Sequence, residues 1–125
     1  MKDKLEIKGE VEIHLGDLFF IFENTFQDLA RNYLRNALIN TGSFIPISSM
    51  AAYYSTGSTT ISVSKSAIGT GQCRIEGSFP LSLEMKNIYE LDLLSSSGVY
   101  SKVSIPHYTK KANDDFIVVW KIRIL

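Results

Sequence analysis

The sequence predicts a mainly β protein: an antiparallel β-sandwich of about seven to nine strands with one packed α-helix over about residues 25–40. Three observations carry this. Turn-forming residues recur about every ten positions, the spacing of short strands in a sandwich or barrel. Between them apolar and polar residues alternate with period two. Only the stretch after Thr25 has its apolar residues three and four apart, as a helix face does. With 125 residues and 14.0 kDa, residues 1–125 are expected to form a single domain with its own core.

The elements follow in order. Leu5, Ile7, Val11, Ile13 and Leu15 alternate with Glu6, Lys8, Glu10, Glu12 and His14, a strand with one polar face. Gly16-Asp17 is a turn signal, so Leu18 to Glu23 is expected to return as the second strand of a hairpin. Thr25 with Asp28 three residues later approximates a capping box. Phe26, Leu29, Ala30, Tyr33, Leu34, Ala37 and Leu38 then make one apolar stripe, and Gly42 supplies the stop. Ile45, Ile47 and Met50 to Tyr54 look like a strand, broken at Ser55-Thr56-Gly57-Ser58. Thr59 to Ser64 alternates around Ile61 and Val63, and Ser66 to Gln72 is expected to be a flexible loop. Cys73 to Leu83 alternates again, with Pro80 arguing for an edge or a bulge. Tyr89, Leu91 and Leu93 continue the pattern, with Glu90 and Asp92 on the opposite face. After Ser95 to Gly98, a strand from Val99 to Ile105 is expected to end at Pro106, followed by a loop from His107 to Asp115.

The last strand is the most informative. Phe116, Val118, Trp120, Ile122 and Ile124 make one face; Ile117, Val119, Lys121, Arg123 and Leu125 make the other. A strand apolar on one side and largely apolar on the other belongs inside a sheet covered on both sides, or against another subunit.

Composition narrows the function. Formal net charge is zero, with thirteen basic and thirteen acidic residues and no basic stripe, so no nucleic-acid partner is expected. Lys110-Lys111 beside Asp114-Asp115 is expected to be a solvated turn. The longest apolar run, Leu18 to Phe22, is far too short to span a bilayer, and no membrane partner is expected. Met1 to Glu10 is charged and alternating, unlike a secretion signal.

Catalytic chemistry finds no foothold, and the chain is expected not to be an enzyme. Cys73 is the single cysteine, without a neighbouring histidine to activate it. His14 and His107 lack metal-ligand spacing, so no metal and no cofactor are expected. Gly69-Thr70-Gly71 leads to Gln72-Cys73-Arg74 and a strand, whereas phosphate loops open onto a helix. Glu84, Glu90 and Asp92 could form a carboxylate pair, but a solvated strand face explains them equally well. Tyr53, Tyr54, Tyr100 and Tyr108 fall near strand ends, where they could be core, interface or stacking platforms for sugars.

One resemblance adds to this. Tyr89-Glu90-Leu91-Asp92-Leu93-Leu94, the Ser-Gly turn, Val99 to Pro106, Thr109 to Asp115 and the strand holding Val119-Trp120-Lys121-Ile122 resemble the C-terminal half of small tailed-phage virion proteins. Asp92 stands where those proteins usually have glycine. The resemblance implies a β-rich virion structural subunit of a tail, collar, baseplate or capsid surface. It would be made in the host cytoplasm and assembled as a homo-oligomer with other virion proteins. The residues most suited to subunit contact are Phe20, Phe22, Ile117, Val119 and Leu125, unless the helix covers them. A carbohydrate- or receptor-binding module, recognising a host-surface glycan, is the alternative.

Overall fold

The computed structural model describes residues 7–26, 47–69, 72–96 and 98–124. Nine strands are described: β1 (Ile7–Leu15), β2 (Leu18–Phe26), β3 (Ile47–Tyr54), β4 (Gly57–Ser62), β5 (Ser64–Gly69), β6 (Gln72–Ser78), β7 (Met85–Ser95), β8 (Gly98–Lys110) and β9 (Phe116–Ile124). All pairings are antiparallel, in the order β4-β3-β7-β8-β2-β1-β9-β6-β5.

That order folds into two layers. The front layer is β2-β1-β9-β6-β5, and the back layer is β4-β3-β7-β8. They meet at two seams. On one flank β2 pairs with β8 only at Thr25↔Lys102 and Phe26↔Ser101. On the other flank β4 passes into β5 through Val63 alone. Between the layers, a Cβ added to Gly77 of β6 would stand 2.9 Å from Ile61 Cδ1 and 3.0 Å from Met50 Sδ. Glycine is what lets the sheets approach so closely there.

The hairpin forms as its turn chemistry requires. Gly16 has φ +58°, the left-handed value wanted at the first central position of a type II′ turn, and Leu15 pairs with Leu18 across it. The last strand is internal: β9 lies between β1 and β6, paired along both edges. Its inner face places Phe116, Val118, Trp120 and Ile122 in the core with Val11, Ile13, Met50, Ile75, Leu91 and Leu93. Burying such side chains stabilises the fold by roughly 1.5–3 kcal/mol each.

Four sequence expectations change. The helix expected over residues 25–40 lies outside the described residues from 27 onward, and its first two positions, Thr25 and Phe26, are strand. The expected loop after Ser66 is strand β5 as far as Gly69, because β6 offers it an edge to pair with. The run from Cys73 to Leu83 is strand only to Ser78, and the chain turns at Leu81-Ser82. Finally, β8 runs through Pro106 to Lys110. Proline is tolerated there because β8 pairs with β2 only near its start, so no ladder bond is asked of that N–H.

Candidate interaction surfaces

Register arranges the outer face of the front layer into rows across β2, β1, β9 and β6. One row is Phe19, His14, Ile117 and Ser78; the next is Ile21, Glu12, Val119 and Glu76; the third is Glu23, Glu10, Lys121 and Arg74. Phe19 and Ile21 are 51% and 54% exposed, and Ile117 is half-buried. Val119 is only 2% exposed although it faces outward. Its cross-strand neighbours Glu12 and Glu76 are tied to Lys121 and Arg74, so long paired side chains stand around a short one.

Of the expected contact residues, Phe20 and Phe22 point inward and pack against the core, with Phe20 stacked on Tyr108 at 4.2 Å. The outward residues of that strand are Phe19 and Ile21. The alternation was legible, but which row faces in was decided by pairing with Ile13 and Val11. Ile117 and Val119 lie on the outer face, and Leu125 falls outside the described residues.

Among the described residues, two edges of the front layer have no strand paired along most of their length. A two-residue hairpin makes Leu15 and Leu18 a hydrogen-bonded pair, so ladder bonds fall on every second pair from there. The backbone groups of Phe19, Ile21 and Glu23 therefore point away from β1, where no described strand pairs with them. At the far end, every residue of β5 is exposed.

The back layer holds a second cluster on its outer side. Tyr53 pairs with Glu90, and Ala51 with Asp92. Asp92 is 4% exposed, and one carboxyl oxygen, Oδ1, has no hydrogen-bond partner. Burial first, then the hydrogen bond to Glu90 and its charge, raise its pKa to about 7, while Lys102 and Tyr53 pull the other way. Burial, with Asp92 next, also raises the Tyr53 hydroxyl. Asp92 is thus no solvated carboxylate, as its alternating position had suggested.

Tyr89 departs from its expected row. It is 43% exposed, its ring 6.5 Å from Tyr53 and 6.3 Å from His107. Register shifts on either side of Ile88 break the alternation, and no sequence signal marks such bulges. Tyr54, Tyr100 and Tyr108 pack against the core, and Tyr54 shares a hydrogen bond with Thr59.

The other candidates scatter. His14 lies in the front layer beside Phe19, and His107 in the back layer beside Tyr89. Cys73 is half-buried in β6, and burial pushes its thiol up, away from the reactive thiolate. Glu84 is exposed in the connection before β7, outside the strand that carries Glu90 and Asp92. Of the glycine-rich stretch, Gly69 ends β5, while 70 and 71 lie outside the described residues. Lys110 corrects its expectation outright: it is fully buried, with Nζ donating to the carbonyls of Leu81, Leu83 and Lys111. Burial lowers its pKa, and Asp114, Asp115 and Glu84 pull it back up.

No protein-family model, no curated protein and no solved structure matches the chain.

Proposed function

We propose that this protein is a structural subunit of a virion, a tail, collar, baseplate or capsid-surface component, whose copies join through the open edges of the front layer. The observation that carries the assembly reading is the edge of β2: backbone groups without a strand partner among the described residues, beside the exposed side chains of Phe19 and Ile21. Long apolar edges of this kind invite pairing with another chain, and isolated domains normally blunt them with charge or proline.

The opposite edge suits it. On the outer face, opposite Glu76 and Arg74, β5 carries Ser64 and Ser66, small side chains that leave room for Phe19 and Ile21 of a neighbour. Charge supports the same orientation. Glu23 and Glu10 stand directly opposite each other near the β2 edge, a destabilising pair when alone. Lys121 and Arg74 continue their row toward β5. Joining β2 of one copy to β5 of the next brings the acidic end of one row toward the basic end of another. Such a head-to-tail contact closes into a ring when its rotation permits. The virion setting rests on the residue pattern from Tyr89 to Ile124.

Light scattering on the purified chain tests the reading. A defined species at a multiple of 14.0 kDa is expected. A monomer that persists at high micromolar concentration overturns it.

A further inference from the structure

We propose that Tyr53, Tyr89 and His107, with Glu90 beside them, form a stacking platform for the pyranose rings of a glycan. This site lies on the back layer, away from the front-layer edges, and does not depend on assembly.

The first argument is local backbone. Asn87 and His107 hold φ of 54° and 50°, left-handed values that side chains rarely adopt. They flank the irregular stretch of the β7–β8 ladder, where register shifts twice around Ile88. Strain and bulges of this kind recur where a protein re-aims a side chain outward. Here they bring Tyr89 out of the apolar row and beside Tyr53 and His107.

The second argument is shape and chemistry. Ring centroids follow one another at 6.5 Å and 6.3 Å, with planes tilted by 39° and 33°. This is a stepped, open row, not a box of mutually facing walls. Aromatic faces suit the C–H faces of sugar rings, and Tyr and His add polar tips for hydroxyl groups. Sugar hydroxyls also need strong acceptors, which the half-buried Glu90 supplies at the edge of the row. The same carboxylate disfavours a phosphate backbone. A cationic peptide would share the aromatic and acidic groups, but it favours an enclosing cage over an open step.

Saturation-transfer NMR with cellohexaose, maltohexaose and chitohexaose tests this on the intact chain. Transfer to the ring C–H protons of at least one is expected. Tyr89→Ala should weaken that binding at least about tenfold, and Tyr89→Phe should retain it, both with unchanged thermal unfolding. Should Tyr89→Ala unfold, His107→Ala at the end of the row carries the same expectation. No transfer from any of the three sugars, binding indifferent to both alanine variants, or tighter binding of an oligo-arginine peptide at this row each overturns the proposal.

Discussion

The ammonium of Lys110 lies 2.7 Å from the carbonyl oxygen of Leu83, inside a residue with no exposed surface. It also donates to the adjacent Lys111 carbonyl at 3.1 Å, and through Leu83 and Leu81, the latter at 2.8 Å, it ties the connection between β6 and β7 to the end of β8. A buried cation survives because these oxygens replace its water. Lys110→Met keeps the stem but takes the ammonium from the Leu83 carbonyl, while the Leu81 and Lys111 carbonyls still accept from the amides of Asn113 and Asp114, and should cost about 2 kcal/mol. Urea unfolding checks it: the midpoint should fall with little change in slope.

Asp92 gives stability a pH dependence of unusual sign. Its folded pKa, about 7, stands above the ordinary 3.8. Its contribution is therefore fully present below the ordinary value and is lost as pH rises through about 7. Asp92→Asn should raise the melting temperature at pH 8 by the equivalent of roughly 2–4 kcal/mol, and hardly at all at pH 4. Equal gains at both values would show that the carboxyl does not titrate in this range.

Gly77 sets the spacing of the layers. Gly77→Ala drives a methyl toward Ile61 and Met50, whose side-chain ends must give way, and should destabilise by about 1–3 kcal/mol. Ile61→Val removes the Cδ1 that makes the nearest contact and should recover part of the loss, which a double-mutant cycle by thermal unfolding reads directly.

Val119 separates core from contact. Because it is already covered within one copy and flanked by Glu12 and Glu76, Val119→Asp places three acids in a row. It should unfold the subunit itself, by roughly 3 kcal/mol or more, whereas Val119→Lys, which meets opposite charges, should cost less. Chemical denaturation of both variants at low protein concentration decides this.

Ile21 reports on the open edge instead. Being 54% exposed, Ile21→Lys should leave thermal unfolding of the dilute subunit within about 0.5 kcal/mol while dissociating the assembly. Sedimentation velocity against protein concentration measures it.

Much of the fold was legible as periodicity. The β1–β2 hairpin followed from Gly16-Asp17 between two apolar runs, and it is present with its register set by that turn. The apolar residues on both faces of Phe116 to Leu125 asked for a place inside a covered sheet or against another subunit, and β9 lies inside the sheet between β1 and β6 with its inner face in the core. The candidate surfaces were less legible. Phe19 and Phe20 are identical in type and adjacent, and only pairing with β1 sends one to solvent and the other onto Tyr108.

The sequence by itself therefore determined the predominance of strand, the β1–β2 turn and the need of the last strand for cover, because these depend on period and local backbone preference. Tertiary structure alone decided the burial of Lys110 and Asp92, the outward turn of Tyr89 and the closeness of Gly77 to Met50. Each depends on groups distant in the chain, a carbonyl, a tyrosine on the neighbouring strand, a bulged partner or a facing sheet, that no local pattern encodes.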